Sequence, residues 1–156
     1  MFKKILIPTD GSPLSSQAAN AGVMFARSIN AEVVALHVTQ PFAATIGFDG
    51  MAAAYAITDD AYEKASSEQA AKYIDAVMSR ADTADVKATS LSVSNFNVAD
   101  GIVQAAAESG ADLIFIGSHG RSGLSRLLLG SVAAKVLSLA GTAVLVYRVK
   151  EEKDKK

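Results

Sequence analysis

Four short segments, Lys3–Ile7, Val33–Val38, Leu113–Ile116 and Ala143–Tyr147, are apolar along nearly their whole length instead of alternating. A strand that is apolar at every position is covered on both faces, which is the situation of a parallel strand between two layers of helices. Segments with helical spacing separate them. Leu14, Ala18, Gly22, Phe25 and Ile29 recur on one face, with Ser12 as N-cap and Pro13 in the first turn. Tyr62, Ala65, Tyr73, Val77 and Ala81 outline a longer helix after Thr58-Asp59. Val86–Val93 carries Lys87, Thr89, Ser90 and Ser92 and reads as an edge strand. Asn97 caps a third helix with Ile102, Val103 and Ala106 inward and Gly110 as its stop. The fourth covers Ser131–Leu139, uses Val132, Val136 and Leu139, and stops at Gly141. Strands alternating with helices imply right-handed crossovers. The expectation is a single doubly wound α/β domain, with a five-stranded parallel sheet of order 3-2-1-4-5 and helices on both faces.

That domain is expected to occupy residues 1–149, with 150–156 (KEEKDKK) a charged C-terminal tail. Pro41–Ile57 is long for a strand-to-helix connection and contains Phe42, Ile46, Phe48, Met51 and Tyr55. It reads either as a lid over a ligand or as an irregular flap on the sheet.

A chain of 156 residues suits one domain with a substantial core. It contains no cysteine, which excludes disulfides, thiolate metal sites and cysteine nucleophiles. Its apolar start, Ile5–Ile7, stops at Pro8, too short for a signal peptide, and no stretch reaches bilayer length. The expectation is a cytoplasmic protein without membrane insertion. The net charge of −1 speaks against a nucleic-acid binder but conceals an asymmetry. From Leu113 to Lys150 there are five basic residues and no acidic one, whereas Asp49 to Asp112 holds eleven acidic residues against four basic ones. An anionic ligand would favour the C-terminal third.

In such a sheet, ligands lie beyond the carboxyl ends of the strands where strand order reverses. The first strand ends in Pro8-Thr9-Asp10-Gly11-Ser12 and the fourth in Gly117-Ser118-His119-Gly120-Arg121-Ser122-Gly123. Four of the eleven glycines fall between Gly117 and Gly130. Glycines permit positive φ and close backbone approach, and the helix beginning at Ser131 adds N–H donors and a positive dipole end. Asp10-Gly11-Ser12-Pro13 is also an ordinary helix entry, in which Asp10 serves only as a local cap. His37 suits local hydrogen bonds at a strand end. His119 suits either a phosphate contact or a hydrogen bond within its loop, and Arg121 and Arg126 are candidate phosphate contacts or solvated charges. With two histidines and no cysteine, a metal cage is not expected. A Walker lysine, a dinucleotide fingerprint and a nucleophile elbow are all missing from the sequence.

Gly117-x-x-Gly120, nine residues, then Gly130-Ser131 resembles the G-x2-G-x9-G-[S/T] pattern of ATP-binding universal stress proteins. Lys3–Ser12, Leu36-His37-Val38 and Gly110–Ile114 are similar to that family as well. At Asn95–Asp100 the chain has Asn-Phe-Asn-Val where many members have a Gly-x-Pro turn. The resemblance implies that Asp10 and Val38 contact adenine, with Pro8 and Thr9 lining that pocket. It puts Gly117 near the ribose, and Gly120, Gly130, Ser131 and Val132 on the phosphates. Ile116 and His119 join the candidates at the end of the fourth strand. The implied cofactor is ATP, with Mg2+ held mainly by phosphates.

The resulting expectation is an ATP-binding regulatory or stress-protective module, read by a partner protein and dimerising through its C-terminal strand. The alternatives are a slow ATPase or phosphotransferase using the same pocket, and a non-catalytic interaction dimer that binds no nucleotide. No carboxylate near Gly120–Ser131 offers itself as a base for attack on a γ-phosphate, so efficient hydrolysis is not expected.

Overall fold

The computed structural model describes residues 1–42, 59–119 and 129–148. Gly120, Gly123, Arg121, Arg126, the tail from 150 and nearly all of the Pro41–Ile57 segment lie outside the described residues. The elements run β1 (Lys4–Pro8), α1 (Pro13–Ile29), β2 (Glu32–Thr39), α2 (Asp59–Thr83), β3 (Ala88–Ser94), α3 (Val98–Ser109), β4 (Leu113–Gly117), α4 (Ser131–Leu139) and β5 (Ala143–Tyr147). All five strands are parallel in the order β3-β2-β1-β4-β5. Ile5 of β1 lies opposite Val33 on one side and Leu113 on the other.

The continuous apolar runs are continuous because both faces are covered. Ile5, Leu6 and Ile7 are all at 0 % exposure. Ile5, Ile7, Val33, Ala35 and Phe115 pack against Ala19 and Val23 of α1 and Ile74, Val77 and Ala81 of α2. Leu6, Val34, Leu36, Val38, Ile114 and Ile116 pack against Ile102, Ala105 and Ala106 of α3 and Ala133 and Val136 of α4. The caps are as expected. Ser12 accepts the Ser15 N–H, Asn97 accepts those of Ala99 and Asp100, and Gly110 ends α3 in the left-handed conformation at φ 67°.

Four details differ from the sequence reading. Pro8 is part of β1, in register with Leu36. β3 starts at Ala88, because Asp85 is left-handed (φ 55°) and the Val86 N–H closes the end of α2 on Ala81 O. Leu139 is 48 % exposed, and Ala133 takes the inward place assigned to it. Ala65 is exposed, and the inward stripe of α2 is Ala70, Ile74, Val77 and Ala81. Length explains the last point. The 25 residues of α2 span roughly 37 Å, whereas the eight of β2 span roughly 26 Å. Running antiparallel to the strands, α2 projects its N-terminal part beyond their carboxyl ends.

Candidate functional site

The β1–α1 turn is built from side chain-to-backbone hydrogen bonds. The Thr9 N–H donates to Leu36 O at 2.8 Å, which extends the ladder one residue past β1. Gly11 follows at φ +75°, a conformation that disfavours any side chain. Its N–H donates to Thr9 Oγ1 at 3.2 Å, and the Ser12 N–H donates to Asp10 Oδ1 at 3.0 Å. Asp10 therefore performs the local capping role and also faces the adjoining cavity. His37 Nδ1 lies 2.7 Å from the Thr9 carbonyl oxygen. A carbonyl only accepts, so Nδ1 carries the proton.

Across from this turn, β4 meets the start of α4. The Ser118 N–H donates to Tyr147 O and the Gly130 N–H donates to Ser118 O, both at 2.8 Å. The Gly130 N–H is thus engaged with Ser118 O, and Gly130 meets the cavity through the rest of its backbone. Positive φ does not explain these glycines, since Gly130 sits at φ −59° and Gly117 is not among the left-handed residues. Close approach does. A Cβ on Gly130 would lie 3.0 Å from Ser118 O, and one on Gly117 would lie 3.2 Å from Ala18 Cβ. Among the described residues no side chain caps α4, and the Ala134 N–H donates to Gly130 O as the helix's opening bond. The N–H groups of Ser131, Val132 and Ala133 precede it and have no acceptor within the helix's described residues. The dipole makes that end favourable for an anion.

Between the two lies a cavity of about 420 Å³ at the carboxyl ends of β1, β2 and β4, where the strand order reverses. Pro8, Thr9, Asp10, Val38, Ile116, Gly117, His119, Gly130, Ser131 and Val132 all line it. Its walls differ in chemistry. Val38, Val98, Ile102, Ile116, Val132 and Ala133 form an apolar side continuous with the α3/α4 core. Thr9, Ser15, His37, Ser66 and Gln69 form a polar side under α1 and α2. Asp10 is the one charged side chain among the described lining residues. His119 Nδ1 lies 3.1 Å from Ser118 Oγ, a bond within its own loop.

The α2 wall escaped the sequence reading. Tyr62, Ser66 and Gln69 line the cavity from consecutive turns of the part of α2 that outruns the sheet. Their spacing of four and three residues was the available signal. His37, expected to make local hydrogen bonds, instead bonds across the sheet to Thr9 O, and it also faces the cavity.

Comparison with known proteins accords with this architecture. Universal stress protein MJ0531 of Methanocaldococcus jannaschii is 34 % identical over 151 residues, which cover 95 % of this chain and 83 % of that protein. The solved structure of MJ0577, from the same organism, superimposes with a TM-score of 0.76 at 26 % identity, covering 97 % of this chain and 99 % of that one. A universal stress protein solved in complex with cAMP gives a TM-score of 0.62 at 26 % identity, covering 94 % of this chain and 97 % of that one. The model of the universal stress protein family matches residues 1–148, and this chain therefore belongs to that family.

Proposed function

We propose that the cavity binds an adenine nucleotide, specifically ATP, and that the bound and empty states act as a regulatory or stress-protective signal read by a partner protein. One observation carries the reading. The cavity joins a carboxylate acceptor and an apolar wall, Asp10 and Val38, to the first-turn N–H groups of α4, which have no acceptor among the described residues. A purine with an exocyclic amino group suits the first end and phosphates suit the second. The likeness to a universal stress protein that holds cAMP, another adenine nucleotide, supports the same ligand class. Among the described residues no group of three or more His, Asp or Glu could hold a metal ion. Mg2+ in this reading travels on the phosphates and their water.

Rapid turnover is not part of the proposal. Asp10 is tied to Ser12, and the cavity's described lining offers no other carboxylate as a base. Mass spectrometry of small molecules released from freshly purified protein, followed by calorimetry with ATP, tests the reading. Protein that carries no nucleotide and gives no heat with ATP at millimolar concentration refutes it.

The proposal includes a homodimer through β5, which supports a state-dependent surface for a partner. β5 is an edge strand bonded only to β4 among the described strands, and Leu137 and Leu139 beside it are 51 % and 48 % exposed. An apolar edge with one row of backbone groups unpaired favours pairing with its own copy across a two-fold axis.

A further inference from the structure

The cavity's acidic turn is held by two side chains that are not among the proposed ligand contacts, one on β2 and one on α2. The ring of Tyr73, in the middle of α2, lies directly over Gly11. A Cβ built on Gly11 would fall 2.0 Å from Tyr73 Cε1, so ring and glycine are in contact with no room for a side chain between them. The same ring meets His37 edge-on, with centroids 5.3 Å apart and planes at 68°. His37 is 9 % exposed and donates Nδ1–H to Thr9 O at 2.7 Å. Gln69, a turn earlier on α2, donates to the Tyr73 hydroxyl at 2.8 Å and lines the cavity itself.

Thr9–Ser12 thus has two external restraints in addition to its own hydrogen bonds. His37 holds the carbonyl before Asp10. Tyr73, in contact with His37, covers the left-handed residue after it. We infer that His37 and Tyr73 are positioning residues that clamp the Thr9–Ser12 turn in the form that presents Asp10 to the cavity. They act through the backbone on either side of Asp10. Gly11 supports this division of labour. It supplies the positive φ that directs the turn into α1 and the flat surface on which the Tyr73 ring rests. A turn held by a buried donor at its first residue and an aromatic face at its glycine loses the alternative conformations open to a free Gly-containing turn.

The effect on ligand selection rests on the adenine-nucleotide reading above, whereas the effect on the turn does not. The test therefore has two arms, on His37→Leu, His37→Asn, Tyr73→Leu and Tyr73→Phe in the full chain. In the first, amide hydrogen exchange is followed without ligand. His37→Leu and Tyr73→Leu should speed exchange at Gly11 and Ser12 by about tenfold, with Leu6 and Ile7 unchanged. His37→Asn places an amide N–H where Nδ1–H stood and should restore protection, and Tyr73→Phe retains the ring and should match the parent. Unchanged protection at Gly11 and Ser12, or an equal loss throughout β1, overturns the inference, the latter because it marks a merely structural role.

In the second arm, calorimetry compares ATP with GTP. The leucine variants should lose about tenfold in ATP affinity and narrow the ATP-over-GTP ratio, and His37→Asn should recover both. A ratio that stays constant in folded leucine variants also overturns the inference. If the parent itself binds no nucleotide, the proposed function fails and the exchange arm alone decides the clamp.

Discussion

Gly101 packs directly behind Val38: a β-carbon on Gly101 would lie 2.9 Å from Val38 Cγ1 and 3.3 Å from Cγ2. Val38 faces the cavity, so the smallest residue of α3 sets the position of one cavity wall. Alanine at 101 gains about 1 kcal/mol in helix propensity and creates an overlap that Val38 relieves by moving toward the ligand space. Gly101→Ala should lower ATP affinity about tenfold, roughly 1.4 kcal/mol, with little loss in melting temperature. Adding Val38→Ala should return part of the affinity. Calorimetry showing Gly101→Ala equal to the parent refutes the relationship.

Gly130 offers a second steric test. Its Cβ position is 3.0 Å from Ser118 O, and its own N–H donates to that oxygen. Gly130→Val should separate α4 from the end of β4, displace the Ser131–Ala133 N–H groups and weaken ATP by several kcal/mol, on the order of 2–3. Unaltered ATP binding by a folded Gly130→Val protein removes this loop from the phosphate site.

Selectivity is testable at Asp10. Its Oδ1 accepts from Ser12, and Asn preserves that acceptor, so Asp10→Asn retains the turn. A carboxylate accepts from the adenine amino group and repels the guanine carbonyl oxygen, whereas an amide pairs with either. Competition binding should show the ATP-over-GTP preference falling about tenfold in Asp10→Asn, with the melting temperature nearly unchanged. A preference that survives the substitution removes Asp10 from base recognition.

The dimer proposal turns on backbone direction. Tyr147 O faces β4, since it accepts the Ser118 N–H. Strand residues alternate sides, so the N–H and C=O of Val146 point away from β4 toward the open edge. Val146→Pro should remove an outward donor without touching the β4 ladder and convert a dimer to a monomer. Light scattering that finds the parent monomeric at micromolar concentration excludes the dimer.

On the far edge, Lys87 Nζ lies 2.6 Å from Glu32 Oε1. The hydrogen bond from Lys87, with the attraction of Lys87 and Lys4, holds the Glu32 carboxyl below the ordinary glutamate range. A lowered folded-state value means that the pair adds stability above the unfolded glutamate value and loses it as pH falls through the folded one. NMR titration should find the Glu32 midpoint low in the parent and restored upward in Lys87→Met, with the difference shrinking in high salt.

Local patterns carried most of the fold. Ile5, Leu6 and Ile7 are consecutive and apolar, and only a two-faced parallel strand buries all three, so the layer arrangement was legible from composition at short range. Ser12, Asn97 and Gly110 announced helix ends because capping depends on residues only two or three positions apart. The glycine spacing around Gly117 and Gly130 likewise marked the end of β4, although the reason for those glycines proved to be contact with Ala18 and Ser118 O.

What the sequence could not specify depends on pairs distant along the chain. Tyr73 on Gly11, His37 under Thr9 and Gly101 behind Val38 are contacts between elements, and no local periodicity encodes which residue of one element meets which of another. The polar cavity wall on α2 arises from a mismatch of lengths, a helix longer than the strand it covers, and only the packed sheet shows where that helix extends into open space. By itself the sequence determined the layers, the strand ends and the candidate residues near them. The tertiary structure alone decided how those residues are held, because long-range packing selects one register among many that local preference allows.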